Sequence, residues 1–310
     1  MSRFLIAVAD SPFPTLDPAK AALSRLDFEM RVAKSPSAED ILAEAKDADA
    51  ILVTYAKISR EIISQLTKCK AIGRFGLGVD NIDLVAAKEK GILVNYVPDY
   101  CVHEVSDHTM ALLLSLIRKI PLSNKLVHGG RWEMPAVVPI TRITGTTLGL
   151  IGFGHIPQMV APKAQAFGMK VIAHDPYLKA DVFKAANVES VDYDTLLKTS
   201  DYISMHAPLM DATRGLLNAE ALAKTKKGVY IVNTARGPVI DEPALIAALD
   251  VVTTEPLPKD SKLIGRDNVI LTPHTGFYSI EALAELQTKC ASDVARVLSG
   301  EKAVYPIAAK

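Results

Sequence analysis

The sequence predicts an α/β protein made of two doubly wound parallel sheets, and three observations carry this prediction. The chain has 310 residues, which is long enough for two domains. Short apolar runs alternate with helical patterns along most of it, the order typical of parallel sheets. A strongly apolar helix predicted over residues 102–120 interrupts this alternation and separates two such regions.

The first region contains five predicted strands with helices between them. The strands cover residues 3–9, 28–32, 50–54, 70–73 and 92–95. The helices cover residues 19–26, 37–47 and 59–68, and a fourth ends at Lys90. Ser37 and Ser59 are predicted N-caps, because a hydroxyl there accepts an unsatisfied backbone N–H. This region therefore forms a parallel sheet in its own right.

The second region begins with the apolar helix, which we expect to be deeply buried. Residues 121–146 hold a second helix and a long irregular connection, typical of a segment that packs on another subunit. Strands are predicted at residues 148–151, 169–173, 201–206, 228–233 and 269–272. Helices are predicted at residues 155–167, 195–199, 218–224, 242–249 and 279–298, followed by a tail at 305–307. The predicted domains are residues 1–100 with 277–310, and residues 101–276.

Residues 147–175 read as strand, glycine turn, helix, strand and acid, the order of a dinucleotide-binding unit. Gly152 permits a tight turn, and Gly154 lets the backbone approach a pyrophosphate at the helix N-terminus. Asp175, 21 residues past Gly154, is placed to hydrogen-bond the adenosine ribose. An α/β crossover that merely carries two glycines is the alternative. Pro157 occupies the third glycine position, and Pro162 is predicted to kink the helix.

Composition narrows the classes of function. Lys plus Arg equals Asp plus Glu, at 35 each, so charge gives no case for nucleic acid or an anionic membrane as partner. No apolar run reaches the roughly 18 residues of a transmembrane helix. Three scattered cysteines indicate a reducing compartment, so we expect a cytoplasmic protein without disulfides or a metal site.

Four further stretches carry residues suited to chemistry on a small carboxylic acid. Arg236 follows an apolar strand and can hold a carboxylate with two hydrogen bonds, or pair with a surface acid. His274 also follows a strand and suits proton exchange with a hydroxyl, although taken alone it is better explained as a structural histidine with satisfied hydrogen bonds. Glu255 could orient that histidine or be a surface loop acid. Gly76 and Gly78 could expose backbone N–H groups to a carboxylate or form a simple turn.

Taken together, these stretches resemble the D-isomer-specific, NAD-dependent 2-hydroxyacid dehydrogenase family, over most of the chain from about residue 51. The motifs that carry the resemblance are GVDNID at 78–83, GFGHI with Asp175, HAPLMDATRGLLN at 206–218, NTARGPVIDE at 233–242, TTEPLP at 253–258 and TPH at 272–274. The resemblance implies a Rossmann NAD domain and a flavodoxin-like substrate domain. It also implies reversible hydride transfer between NAD(H) and a small 2-oxo or 2-hydroxy acid, in a protein expected to be a homodimer.

The family's functional residues map onto this chain motif by motif. By resemblance, Arg236 binds the substrate carboxylate and carbonyl, His274 is the acid/base, and Glu255 keeps His274 protonated for reduction. Backbone groups of Leu77, Gly78 and Val79 would cradle the carboxylate, and Tyr55 would help to select the substrate. The implied cofactor contacts are Gly152, Gly154, His155, Ile156, Asp175, Ala207, Thr234, Ala235 and Asp250. Asp175 favours NAD over NADP, since its charge would repel the extra phosphate.

One departure from the family pattern concerns the chain beside Glu255. The family places a turn and a strand between the NTARG helix and the EP motif, whereas here Leu249 runs directly into Asp250. About ten residues are absent by this comparison, and a strand of ~5 residues with its turn would account for them. Either the sequence omits this segment, so that the strand cannot form, or the protein is shortened beside its active site and Glu255 is displaced. An alternative function is an NAD(H)-sensing regulatory protein like the C-terminal-binding corepressors, which share the fold and a similar FYS sequence after TPHTG.

Overall fold

The computed structural model describes residues 3–241 and 247–307. The chain divides into two compact units, which we name by the number of strands in their sheets. The five-stranded unit consists of Met1–Tyr100 and Ser279–Lys310, and the seven-stranded unit consists of Cys101–Tyr278. Every described strand pair in both sheets is parallel. The predicted fold class, two parallel-sheet α/β units, is confirmed.

The five-stranded unit has a flavodoxin-like strand order, β2-β1-β3-β4-β5. Its strands are β1 (Phe4–Val8), β2 (Phe28–Val32), β3 (Ala50–Val53), β4 (Ala71–Arg74) and β5 (Leu93–Asn95). Its helices are α1 (Asp17–Leu23), α2 (Ala38–Ala45), α3 (Arg60–Gln65), α4 (Leu84–Glu89) and the C-terminal helix Ile280–Leu298. Ser37 and Ser59 accept backbone N–H groups of α2 and α3, so both predicted N-caps are confirmed. The strand order reverses between β1 and β3, where ligands bind in open α/β sheets.

The seven-stranded unit has the order β12-β11-β10-β9-β6-β7-β8. Its strands are β6 (Thr147–Ile151), β7 (Lys170–His174), β8 (Glu189–Ser190), β9 (Tyr202–Met205), β10 (Tyr230–Asn233), β11 (Ala247–Leu249) and β12 (Val269–Leu271). Its helices are α5 (Val102–Arg118), α6 (Ile120–His128), α7 (His155–Ala166), α8 (Ala180–Ala185), α9 (Tyr193–Thr199) and α10 (Ala219–Ala223). The order reverses between β6 and β9, so the glycine turn after β6 lies at the switch point.

Helix α5 packs on β10 and β11 and forms the centre of one core of this unit. Leu113 and Ile117 are almost fully buried there, and burying such a side chain is worth about 1.5–3 kcal/mol. The predicted helix over 102–120 ends earlier, at Arg118, because Lys119 takes a left-handed conformation (φ 53°) that separates α5 from α6. Deep burial of its apolar second half is confirmed.

The largest difference between the predicted and the observed secondary structure is at residues 247–249. The sequence pattern predicts the end of a helix there, but Ala247–Leu249 is β11, paired with β10 and β12. The first part of that predicted helix, residues 242–246, lies outside the described residues. The expectation that a strand is missing between Leu249 and Asp250 is wrong. The chain passes from β11 into Asp250, whose N–H donates to the Asn233 carbonyl, so the strand is present and ends where the gap was expected.

Four small elements were not predicted: helix α8, the two-residue strand β8, and the 3₁₀ helices Met134–Val137 and Gly237–Val239. The described part of the chain contains no helix with the length and apolar character to cross a membrane. Within the same residues, no group of His, Cys, Asp or Glu is arranged to hold a metal ion. Cys69, Cys101 and Cys290 are all free thiols.

Candidate active site

The glycine turn after β6 is shaped by its contact with the neighbouring loop after β9. Gly152 has a φ of 88°, a conformation that side chains disfavour. A Cβ at this position would lie 2.9 Å from the backbone N of Ala207, closer than van der Waals contact allows. The turn therefore requires glycine for both its conformation and its packing, and it brings Ala207 directly beside the turn.

Helix α7 begins immediately after this turn and presents an uncapped N-terminus. Gly154 is the N-cap and has no side chain to occupy the first N–H groups. His155 and Ile156 form the first turn, which closes with a bond from Gln158 N to Gly154 O. The helix continues unbroken through Pro162 to Ala166. The backbone N–H groups and the positive dipole end available here are suited to a phosphate group.

Asp175 lies directly after β7, next to the glycine turn. One carboxylate oxygen accepts from the Phe153 N–H at 2.9 Å and the other from the Tyr177 N–H at 3.0 Å. A carboxylate has about four acceptor positions, so it can still accept hydroxyl groups after these two bonds. The turn, the helix N-terminus and this acid together fit an adenine dinucleotide, with the phosphates at α7 and a ribose at Asp175.

The clearest chemical pair is Glu255 with His274, which are 19 residues apart in the chain. Glu255 Oε2 lies 2.8 Å from His274 Nδ1, and both side chains are partly exposed. Burial alone would raise the pKa of Glu255, but the hydrogen bond and charge of His274, the Val252 N–H and the charge of Arg236 together lower it. Glu255 is therefore an anion at neutral pH and fixes which ring nitrogen of His274 faces away from it.

His274 itself has an unusual backbone. Its φ is 54°, a left-handed conformation that costs non-glycine residues about 1–3 kcal/mol and often marks functional positions. Phe277 packs against the imidazole edge-on, with ring centroids 6.1 Å apart. A strained residue that is held by its surroundings has a defined side-chain direction, which proton transfer requires.

Arg236 follows β10 in a loop tied down by Asn233. The Asn233 side chain donates to the Arg236 carbonyl at 2.9 Å and accepts from the Ala235 N–H at 3.0 Å. The Arg236 guanidinium donates to the Ala235 carbonyl at 2.9 Å. Thr234 in the same loop contacts Thr109 of α5 at 2.9 Å. Strands β10, β11 and β12 are neighbours, so the loops bearing Arg236 and His274 belong to one edge of the sheet.

Asp250 follows β11 on the same edge but is buried, with 4% exposure. Its carboxylate accepts from Thr272 at 2.6 Å and from the N–H groups of Thr275 and Gly276, both at 2.9 Å. His108 of α5 lies 3.3 Å away. Burial favours a higher pKa for Asp250, but the hydrogen bonds from these donors hold it below its usual value.

The remaining predicted residues lie in the five-stranded unit. Tyr55 follows β3 and is half exposed, and its N–H donates to Asp10 at 2.7 Å. Leu77, Gly78 and Val79 lie in the turn after β4, the neighbouring strand. The Leu77 side chain is partly exposed. These residues thus share the carboxyl edge of one sheet.

Three residues with a structural part in these edges were not identified from the sequence. Asp10 accepts the N–H groups of Thr54 and Tyr55 at the switch point of the five-stranded sheet. His108 and Thr272 join Asp250 in its buried network. The position of Asp10 directly after an apolar strand was the available signal. His108 gave a weaker one, because it lies among other polar residues in the first half of α5.

Comparison with known proteins agrees with this geometry. Residues 110–276 match the model of the D-isomer specific 2-hydroxyacid dehydrogenase, NAD binding domain. The chain belongs to the D-isomer-specific 2-hydroxyacid dehydrogenase family. The matched segment lies within the seven-stranded unit, so this unit contains the family's NAD-binding domain. The resemblance found in the sequence motifs is confirmed.

Similar proteins include both curated relatives and solved structures. D-3-phosphoglycerate dehydrogenase of Methanocaldococcus jannaschii is 42% identical over 287 residues, covering 89% of this chain and 54% of the relative. The chain spans about half the length of the curated relatives it matches. The TT0316 protein of Thermus thermophilus matches with a TM-score of 0.89 and 30% identity, covering 98% of this chain and 100% of the other.

A second solved structure carries its cofactor. D-lactate dehydrogenase from Aquifex aeolicus, complexed with NAD and lactic acid, matches with a TM-score of 0.86 and 30% identity over 96% of both chains. The similar proteins whose names state an activity are dehydrogenases or reductases, and the comparisons do not support the corepressor-like alternative.

Proposed function

We propose that this chain is an NAD-dependent dehydrogenase that interconverts a small 2-oxo acid and the corresponding D-2-hydroxy acid. The observation that carries the proposal is the Glu255–His274 pair at 2.8 Å, on the sheet edge that also bears Arg236. An imidazole fixed by an anion suits a group that must gain and lose a proton each cycle. A guanidinium on the same edge suits the substrate carboxylate.

Each residue then has a defined task. Arg236 binds the carboxylate and the adjacent carbonyl oxygen, and the backbone N–H groups of Leu77, Gly78 and Val79 are a proposed cradle for the carboxylate. Glu255 occupies Nδ1 of His274, so the proton exchange with the substrate oxygen takes place at Nε2. NAD, when bound, supplies or accepts the hydride at the substrate C2.

The proposed cofactor contacts follow the geometry of the seven-stranded unit. His155 and Ile156 offer N–H groups to the pyrophosphate, and Asp175 accepts from the ribose. Its negative charge disfavours the 2′-phosphate of NADP. The proposed cofactor contacts after β9 and β10 are Ala207, Thr234 and Ala235. Asp250, the remaining cofactor contact implied by the resemblance, has its carboxylate occupied by donors of the protein itself.

Turnover with 2-oxo acids tests the proposal directly. We expect NADH oxidation, followed by absorbance, with at least one of glyoxylate, hydroxypyruvate and 3-phosphohydroxypyruvate. The His274→Gln variant should bind NADH but turn over far more slowly. A wild-type protein that binds NADH and reduces none of the three acids would overturn the proposal.

We also propose a homodimer in a reducing compartment such as the cytoplasm. Apolar side chains are exposed on residues 120–138, with Trp132 at 88% exposure, and such surfaces mark interaction sites. The three free thiols agree with a reducing environment. Light scattering should give twice 33.4 kDa, and Trp132→Ser should weaken the dimer whereas Ile280→Ser, another exposed apolar site, should not. A monomeric wild type would contradict this.

A further inference from the structure

Asp250 accepts hydrogen bonds from three successive backbone N–H groups in the turn that carries His274. The His274 N–H donates to the Asp250 carbonyl at 2.9 Å. The next two N–H groups, of Thr275 and Gly276, donate to its two carboxylate oxygens, each at 2.9 Å. Three consecutive donors bound to one residue define the path of the chain through His274. This explains how a histidine keeps a φ of 54°, which is uncommon outside glycine.

The turn has no room for another side chain on this path. A Cβ on Gly276 would lie 2.8 Å from Asp250 Oδ2 and 3.2 Å from the His108 ring. The Asp250 carboxylate and the His108 imidazole are thus packed directly under the turn. Any displacement of Asp250 is therefore transmitted to the backbone that carries His274.

Asp250 is itself oriented by helix α5. The Thr272 hydroxyl donates to Asp250 Oδ1 at 2.6 Å, so its one proton is used there. The contact of 3.0 Å between Thr272 Oγ1 and His108 Nε2 must then be a hydrogen bond donated by His108. Nε2 of His108 consequently carries a proton, and the same nitrogen faces Asp250 Oδ1 at 3.3 Å. His108 Nε2, on α5, therefore donates toward both Thr272 Oγ1 and Asp250 Oδ1.

We propose that Asp250, oriented by His108 and Thr272, is a positioning residue that aims the His274 imidazole for proton transfer. The inference rests on the proposed function, because it concerns how the acid/base of that reaction is held. The carboxylate already accepts close hydrogen bonds from three donors, with His108 a fourth. Its acceptor capacity is thereby filled from within the protein, which is what a support for the turn requires.

Substitution of Asp250 tests this role. Asp250→Asn keeps the shape but turns one acceptor into a donor that faces a backbone N–H. We expect kcat for 2-oxo acid reduction to fall about tenfold or more, with the Kd for NADH and the KM for the 2-oxo acid within about threefold. A loss confined to NADH affinity, with kcat unchanged, would overturn the proposal in favour of a cofactor contact.

His108 provides a milder variant that leaves the turn residues intact. His108→Gln keeps an N–H donor and should retain kcat within about threefold, whereas His108→Leu removes the donor and should lower kcat about tenfold. His103→Leu is the matched control, since His103 lies on the same helix and outside the Asp250 network, and should leave kcat unchanged. Equal kcat values for His108→Leu and His103→Leu would contradict the role of His108.

A double mutant separates positioning from an independent effect. If Asp250 acts through His274, adding Asp250→Asn to His274→Gln should cause no further loss of kcat. Additive losses would overturn the inference.

Nitrogen NMR of the histidine rings, in protein without substrate, gives a readout independent of turnover. The His274 signal should move in Asp250→Asn and stay in His103→Leu. An unmoved signal would overturn the inference, while absent turnover in the wild type would instead overturn the proposed function.

Discussion

Asp10 and Asp175 both follow a strand of their own unit, and the difference between their surroundings shows how one architecture serves two purposes. Asp10 lies after β1 at the switch point of its sheet, whereas Asp175 lies after β7, one strand away from the switch point between β6 and β9. Each accepts at least one backbone N–H from the loop after the neighbouring strand. Asp10 uses both oxygens on Thr54 and Tyr55, so it joins two loops. Asp175 uses one oxygen on the glycine turn and the other on Tyr177.

The two sheet edges also differ in what they present. In the five-stranded unit, the proposed site groups are mainly backbone N–H groups of residues 77–79. In the seven-stranded unit, the edge carries Arg236, the Glu255–His274 pair and Asp250, which supports the turn bearing His274. A backbone cradle suits binding of a small carboxylate, whereas proton transfer needs side chains that titrate. We therefore expect substitutions in the seven-stranded unit to affect the chemical step most.

The largest effect is expected at His274. His274→Gln removes the group that exchanges a proton with the substrate, a contribution of about 10²–10⁴-fold to rate. Stopped-flow or steady-state kinetics should show that loss in kcat, while fluorescence titration should show unchanged NADH affinity. Retention of near wild-type kcat would place the chemistry elsewhere and remove the contrast between the two edges.

The next effect is expected at Arg236. Arg236→Lys keeps the positive charge but loses the planar fork that binds a carboxylate with two hydrogen bonds. Hydrogen bonds to charged groups are worth about 1.5–3 kcal/mol, so kcat/KM should fall about 10- to 150-fold, mainly through KM. Lys226→Arg, a surface cation on the same unit, serves as the control. An unchanged KM would show that Arg236 does not touch the substrate.

A smaller effect should distinguish the two strand-end carboxylates. Asp175→Asn removes the charge that disfavours NADP, and a single partly exposed charge contributes about 1 kcal/mol, or roughly fivefold in the NADPH to NADH affinity ratio. Asp10→Asn should leave this ratio unchanged, because Asp10 belongs to the other unit's loops. Both variants should be titrated with both cofactors. If the two substitutions changed the ratio equally, Asp175 would not be the residue that selects NAD.

The smallest effect concerns stability at acid pH. The folded state lowers the pKa of Glu255 below its ordinary value of 4.5, against the effect of its burial, through His274 and neighbouring donors. The unfolded chain therefore binds the proton more readily, so this stabilisation is present above about pH 4.5 and is lost as pH falls through the lowered pKa. The Tm of Glu255→Gln should therefore decrease less steeply than that of the wild type as the pH is lowered. Glu61→Gln, at an exposed helix position, is the control and should show the same decrease of Tm with pH as the wild type.

Much of the fold follows from local pattern, because strands and caps depend on neighbouring residues. The alternation of apolar runs predicts nearly every strand, and Ser37 and Ser59 start their helices as expected. Residues 247–249 are an exception, because their structure depends on neighbouring strands. Two alanines and a leucine at the end of a helical pattern are predicted to be helical, but they have hydrogen-bonding partners on both sides, β10 and β12, and therefore form a strand.

The sequence by itself determined the α/β class, the glycine turn with Asp175, and the list of residues carrying chemistry, since these follow from residue type and spacing. Only the tertiary structure decided which of them meet. Glu255 and His274 lie 2.8 Å apart because separate loops converge at the end of one sheet. The three N–H groups that Asp250 binds, and the His108 donor from a distant helix, depend on long-range packing that no local pattern encodes.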